Sequence, residues 1–161
     1  MERNLLTAIA LLVLALSGCS RDPQRAPHLS FHRISAQSSD VTRPADLNGE
    51  TIYLIEPPVI MSPMIADAYS SMDGHGRPYI FIKFAEPTIS DFAAVSRAAI
   101  GERLAIVVSG ELVAAPVLRE PISNGVISVS GPFSPTKAQD ITSVLLGLDR
   151  PNNGETNQGR K

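Results

Sequence analysis

The sequence has little of what several classes of protein need. Its 161 residues include one cysteine and no tryptophan, and aromatic residues make up only 5%. A single cysteine cannot form an internal disulfide or a thiolate metal site, and so few aromatic side chains argue against a base-stacking surface. The 14 basic and 16 acidic side chains give a net charge of -2, which argues against a nucleic-acid partner.

The longest apolar run at the start of the chain is too short to span a bilayer as a helix. Residues 5–16 read LLTAIALLVLAL, whereas a transmembrane helix needs roughly 20 residues. The run fits the apolar region of a signal peptide, and small residues lie directly before Cys19. Because this arrangement resembles the bacterial lipobox, we predict a signal peptide at residues 1–18 and lipidation of Cys19, with acyl chains such as palmitate. The alternative is an ordinary cleaved secretion signal.

The lipobox predicts a lipid-anchored protein of the bacterial cell envelope that faces the periplasm. Ser20 follows the cysteine, and this residue favours the outer membrane because enterobacterial lipoproteins retained on the inner membrane carry aspartate there. Residues 19–50 are rich in proline and serine, which predicts a flexible linker that holds the folded part away from the membrane. The polar residues 149–161 predict a disordered tail.

Residues 51–148 carry the apolar patterns of one folded domain. Strand patterns occur at 52–55, 64–72, 79–84, 103–108, 111–118 and 126–129, and helical periods at 88–100 and 134–148. The order β-β-β-α-β-β-β-α predicts an α+β fold, a two-layer sandwich of mainly antiparallel sheet with two amphipathic helices. The run 103–108 is apolar at almost every position, so we expect a central strand covered on both faces.

The run 111–118 contains Pro116, which cannot donate a hydrogen bond to a neighbouring strand. We therefore expect this strand to lie at a sheet edge or to carry a bulge. A free edge can accept an extended peptide as an additional strand. The residues predicted to bind peptide along this edge are Val113, Ala115, Val117 and Arg119.

The sequence offers no constellation of catalytic or metal-binding residues. It contains no GK[ST], GxSxG or HExxH motif. His28 and His32 have an i, i+4 spacing, but no third ligand is evident, and His75 lies in a glycine-rich turn. We predict no enzymatic activity, no cofactor, no metal and no small-molecule substrate.

Three stretches of the folded region are similar, in their order along the chain, to the protein-export subunit SecD. They read IYLIEPPVI at 52–60, DAYSSMDGHGRPYIFIKF at 67–84, and GERLAIVVSGELVAAPVLREPISNGVISVSGPFSPTKAQDI at 101–141. The matching part of SecD is the head subdomain of its large first periplasmic domain, and the resemblance covers about residues 53–145. Ser109 stands where the family usually has an aspartate.

The resemblance implies a role in protein export, because SecD together with SecF assists export through the Sec translocon. We find no counterpart of SecD's transmembrane helices or of the base of its periplasmic domain in the 161 residues, so we expect no proton-driven pumping. We predict a non-catalytic lipoprotein whose head-like domain binds exported polypeptides, or proteins of the Sec machinery or the envelope. The alternative is a structural or regulatory lipoprotein that holds one partner or self-associates.

Overall fold

The computed structural model describes residues 28–148, so the predicted signal peptide, Cys19 and the predicted tail lie outside the described residues. The strands are β1 (Leu29–Ser35), β2 (Thr42–Leu47), β3 (Glu50–Ile55), β4 (Ile60–Met61), β5 (Ile65–Met72), β6 (Pro78–Phe84), β7 (Leu104–Val108), β8 (Glu111–Ala114) and β9 (Val126–Ser130). The helices are α1 (Thr88–Ala98) and α2 (Pro135–Leu145). From β3 onward, and apart from the two-residue β4, the order is the predicted one, and the α+β class is confirmed.

The strands form two antiparallel sheets. The first sheet has the order β2-β3-β1-β7-β8, and β4 pairs with β1 on the same side as β3. The second sheet has the order β5-β6-β9. Residues 59–64, which we call the crossover segment, contain β4 and lead from the first sheet into the second.

The main core lies between the two sheets and the helices. Its centre is an aromatic cluster of Phe31 from β1, Phe84 from β6 and Phe92 from α1, all at most 1% exposed. The ring centroids of Phe31 and Phe92 are 4.8 Å apart in an edge-to-face arrangement, and those of Phe84 and Phe92 are 5.1 Å apart and stacked. These contacts join one strand from each sheet to a helix.

β7 is buried on both faces, because a second core lies behind it. The β2–β3 hairpin lies at one end of the first sheet and folds back over β7. Its residues Ile52 and Leu54 pack against Ala105 and Val107, on the face of β7 that is turned away from the main core. As a result β2 contacts β8, and the two ends of the first sheet approach each other. The expectation of a central strand covered on both faces is met.

The prediction of a flexible linker fails from Leu29 onward, since β1 and β2 both lie within residues 19–50. In β1 the apolar Leu29 and Phe31 alternate with Ser30 and His32, and all four side chains are buried. His32 Nε2 lies 3.0 Å from Ser30 Oγ, and His32 Nδ1 lies 3.2 Å from the Ile55 carbonyl oxygen. Buried polar groups are stable when hydrogen-bonded in this way.

The second error in the linker prediction concerns the turn between β2 and β3. Asn48 and Gly49 both have positive φ, at 56° and 81°, as a two-residue type I′ hairpin turn requires. The dipeptide Asn-Gly is a strong hairpin signal. The folded domain therefore begins about twenty residues before the predicted boundary at residue 51.

Candidate functional site

A groove of about 620 Å³ lies between the two ends of the first sheet. Residues 43–48 on β2 form one wall, and residues 110–113 at the start of β8 form the other. Residues 132–134 and α2 close the groove from the side. The apolar residues that line it are Ala45, Leu47, Leu112, Val113, Phe133 and Ile141.

β8 leaves one of its edges open along this groove. Among the described strands it pairs with β7 alone. Alternate residues of such an edge strand therefore point their backbone N–H and C=O groups away from the sheet. β2 is the other end of the sheet, but Pro44 has no N–H to offer and the Thr42 N–H already donates to the Ser39 carbonyl oxygen. β8 is thus the better acceptor for an added strand.

Charges of both signs surround the groove. Lys137 from α2 reaches Glu111 at the first residue of β8, with 2.6 Å between Nζ and Oε2. Arg43 and Asp46 lie on the opposite wall, and the Arg43 side chain pairs with Glu56. Because the charges are balanced, the groove has no electrostatic preference for a basic or an acidic segment.

The structure separates the four residues that the sequence predicts to bind peptide. Val113 lines the groove, although its side chain is buried. The Ala115 carbonyl oxygen already accepts a hydrogen bond from Arg103 Nε at 3.1 Å. Val117 pairs with Arg103 as an isolated bridge, and Val117 and Arg119 are both exposed beyond the groove. Of the four, Val113 alone lines the groove.

The far end of the predicted strand 111–118 follows β7 through an irregular register. A shift lies between Ile106 and Val107 on β7, and the Pro116 carbonyl oxygen accepts a hydrogen bond from the Leu104 N–H. The sheet end is therefore where the sequence places an edge. The shift falls inside β8 (Glu111–Ala114), where Val113 has no register partner on β7, so the regular part of the strand is Glu111 and Leu112.

Several residues of the groove come from segments that sequence reasoning did not connect with β8. Phe133 is one of them, and Gly131 positions it: a Cβ at Gly131 would lie 2.6 Å from Phe133 Cε1 and 3.0 Å from the Val113 carbonyl oxygen. Gly131 thus permits the segment 131–133 to lie close against β8. A glycine and a phenylalanine two residues apart, just before the α2 cap residue Ser134, are the only sequence signal for this wall.

The histidines do not assemble a metal site within residues 28–148, where no three His, Cys, Asp or Glu side chains lie close enough to hold an ion. Both ring nitrogens of His32 are occupied by Ser30 and Ile55. Neither of the two helices in this range is both long enough and apolar enough to cross a bilayer.

The turn between β5 and β6 contains Asp73, the one carboxylate within residues 28–148 whose pKa clearly departs from its ordinary value. The backbone N–H of Arg77 donates to Asp73 Oδ1 at 2.9 Å, and the N–H of His75 donates to the same oxygen at 2.8 Å. These bonds, with the nearby Arg77 guanidinium, hold the pKa of Asp73 below its ordinary value of 3.8. Asp73 therefore stabilises the turn and lies outside the groove.

The described residues thus form an α+β domain of two antiparallel sheets and two helices. The family model of the SecDF P1 head subdomain matches residues 37–147. The chain belongs to this family, and the match begins before β2, inside the segment that the sequence predicts as a linker.

Individual relatives agree with this assignment. The chain is 35% identical over 112 residues to the protein translocase subunit SecDF of Thermus thermophilus, an alignment that covers 70% of this chain and 14% of that protein. It is 32% identical over 100 residues to the protein translocase subunit SecD of Mycobacterium tuberculosis, covering 60% of this chain and 18% of that protein. The chain thus spans less than a quarter of either relative.

Solved structures show the same fold. A SecDF structure described as a membrane component that enhances protein export superposes with a TM-score of 0.59 at 25% identity, over 76% of this chain and 63% of that chain. SecDF in its super-membrane-facing form gives a TM-score of 0.57 at 26% identity, over 73% of this chain and 18% of that chain. The sequence resemblance to the SecD head is confirmed.

Proposed function

We propose that this domain binds unfolded polypeptides during protein export by adding one extended segment to the open edge of β8. The observation that carries the proposal is this edge at the base of a groove lined by apolar and charged residues. Backbone hydrogen bonds to β8 supply affinity without sequence preference, and the mixed walls accept both apolar and polar side chains. The relatives' role as translocase subunits supports an exported chain as the occupant.

The proposal moves the centre of binding from the four predicted residues to the groove. Val113 keeps its place on the accepting strand. Ala115, Val117 and Arg119 belong to the irregular continuation, where at least one carbonyl is already bonded. Leu47 and Phe133, which are half-buried, replace them as the residues that contact the client's side chains.

The same proposal places the domain at the bacterial membrane by a lipid on Cys19, facing the periplasm. The lipobox-like residues before Cys19 support the anchor, and several acyl chains hold a soluble domain firmly. Relatives that are membrane-embedded translocase subunits favour the inner membrane over the outer membrane that Ser20 favours. Metabolic labelling with palmitate, compared between the natural chain and Cys19→Ala, tests the anchor.

A photo-crosslinking experiment tests the groove directly. Benzoylphenylalanine is placed at Phe133, which lines the groove, and in a second protein at Phe81, a half-buried aromatic residue on the outer face of the second sheet. Each protein is irradiated with reduced, carboxymethylated α-lactalbumin, which is permanently unfolded, and with native α-lactalbumin. We expect crosslinks at position 133 with the unfolded form only, and none at position 81.

Two further results decide the mechanism. A peptide that crosslinks at position 133 should lose binding when alternate backbone nitrogens are methylated, because strand addition needs its N–H groups. Equal crosslinking at positions 133 and 81, or no crosslinking at position 133, contradicts a client groove.

A second candidate function is the scaffold for one partner, and one observation favours it. Tyr69 on β5 and Phe81 on β6 stack on the outer face of the second sheet, with ring centroids 4.7 Å apart, and Tyr69 is 45% exposed. Exposed aromatic patches are common at protein interfaces. In cells, a single dominant crosslinked protein at position 81, with none at position 133, supports this function instead.

A further inference from the structure

The crossover segment exposes an unusual amount of apolar surface for a connection between two sheets. Val59 is 36% exposed, Met61 is 61% exposed and Met64 is 55% exposed, all within six consecutive residues. Single exposed apolar side chains are ordinary, whereas several side by side mark a contact surface. Long, flexible methionine side chains adapt to irregular apolar surroundings.

This segment lies beside the point where the chain enters the folded domain. Ser62 donates its N–H to the Leu29 carbonyl oxygen at 2.9 Å, and Met61 is the register partner of Ser30. The Ser109 N–H donates to the His28 carbonyl oxygen at 3.1 Å. The end of the domain that carries the exposed methionines is therefore the end from which the chain leads back towards Cys19.

The chain between Cys19 and this end is short. Nine residues, 20–28, separate Cys19 from Leu29. At full extension these nine residues span about 30 Å. The linker predicted from the sequence has 30 residues between Cys19 and Glu50 and would span about 100 Å. A lipid on Cys19 therefore keeps the crossover segment within about 30 Å of the membrane surface.

We propose that the crossover segment rests on the lipid bilayer, with Val59, Met61 and Met64 inserted at the interface. This inference rests on the lipid anchor of the proposed function. It goes beyond that function in assigning the domain a fixed face and orientation towards the membrane. The short connection to Cys19 favours the lipid bilayer as the occupant of this surface, because a lipid on Cys19 holds the bilayer close to this end of the domain.

The contact is apolar and not electrostatic. Glu56, the nearest ionised side chain before the segment, is paired with Arg43 at 3.2 Å. On the other side, Glu86 follows Ala85, whose N–H bonds to Met64. The crossover segment contains no lysine or arginine, and an acidic side chain lies on each side of it. Attraction to anionic headgroups therefore does not drive the contact, and we expect the contact to persist at high salt.

Because the chain contains no tryptophan, all tryptophan fluorescence of a variant comes from the one residue introduced. Three single-tryptophan variants are made in the full, lipidated protein: Met61→Trp, Met64→Trp and the control Met72→Trp. Met72 is 50% exposed, similar to the other two, but it lies at the far end of β5, eight residues beyond Met64. Each protein is reconstituted in vesicles of phosphatidylethanolamine and phosphatidylglycerol, with and without brominated acyl chains, and anchoring is read separately by vesicle flotation.

We expect tryptophan at positions 61 and 64 to emit at shorter wavelength in vesicles and to be quenched by brominated lipid, in low and high salt, with no change at position 72. Anchored protein without quenching at 61 and 64 overturns this inference and leaves the anchor standing. An emission shift without bromine quenching shows that protein, such as a second copy, covers the segment, and also overturns it. Protein that fails to float removes both the anchor and the inference, while the groove is judged by its own crosslinking test.

Discussion

Replacing Phe31 by alanine tests whether β1 belongs to the folded domain. In the sequence reading, residue 31 lies in a flexible linker, and its loss costs no stability. In the structure, Phe31 is fully buried, pairs through its backbone with β7 and contacts the rings of Phe84 and Phe92 at centroid distances of 6.0 and 4.8 Å. The two readings therefore predict very different unfolding behaviour.

The expected loss is large because a whole aromatic side chain leaves a cavity in a closed core. Phe→Ala at such a site lowers the free energy of unfolding by about 3–5 kcal/mol. A domain of this size has a total stability of about 5–15 kcal/mol, so the variant loses a substantial part of it. With a denaturant slope of about 2 kcal/mol per M of urea, the unfolding midpoint falls by about 2 M.

The assay is urea unfolding of the soluble chain without residues 1–19, followed by circular dichroism. Phe81→Ala is the matched control, because Phe81 is half-buried on the outer face of the second sheet and its loss should cost about 1 kcal/mol or less. If Phe31→Ala and Phe81→Ala unfold at the same urea concentration, β1 is not part of the cooperative core and the reasoning is wrong.

Three further predictions concern turns and the groove rim. Gly125→Ala should destabilise the domain by about 2 kcal/mol or more, because the φ of Gly125 is +66° and the new Cβ would lie 2.6 Å from the Ile89 side chain. The control in the same thermal unfolding assay is Gly74→Ala, whose new Cβ meets nothing within 4 Å. Because the folded-state pKa of Asp73 is lowered, its carboxylate stabilises the fold above pH 3.8, and this contribution is lost as the pH falls through the folded-state value. Asp73→Asn should lower Tm at neutral pH and bring the variant and the natural chain together in acid, and an unchanged gap in acid contradicts this cause. Lys137→Ala breaks an exposed ion pair and should change stability by about 1 kcal/mol or less while altering crosslinking at position 133, measured on the same samples.

The sequence predicts well the elements whose apolar period is undisturbed. The run 79–84 is rich in aromatic residues and isoleucine and lies in β6, and the run 103–108 is apolar apart from Arg103 and contains β7. The helical periods at 88–100 and 134–148 contain α1 and α2. In each case the pattern reports directly on which faces are buried. The α+β class followed from the order of these elements.

The first two strands escape the same reasoning for a physical reason. β1 is buried on both faces, but one of these faces carries Ser30 and His32, which are polar in the sequence, and the apolar alternation covers only residues 29–32. β2 is an edge strand that contains Pro44 and exposes every second residue. The Asn48-Gly49 turn was the available signal, because it favours a hairpin whatever the polarity of the flanking strands.

The candidate site was predictable only in part. Pro116 indicates an edge, and β8 is one. The opposite wall depends on the curl of the first sheet, which brings β2 to β8 across more than sixty residues of chain, and a single sequence contains no record of such a long-range approach. The sequence likewise does not show that the exposed Met61 and Met64 lie near the start of the folded domain, because that start depends on where β1 begins.

The recess around β8 has a consequence for what can enter it. Neighbouring strands of a sheet are spaced by about 4.7–4.9 Å, so a strand that is still part of a folded sheet brings a second strand with it into a groove that β2 and residues 132–134 bound. A lone extended chain has no such companion. Under the proposed function, the groove would therefore sort proteins by their folding state and not by their sequence. The same restriction applies to a second copy of this domain, whose β8 is also part of a folded sheet.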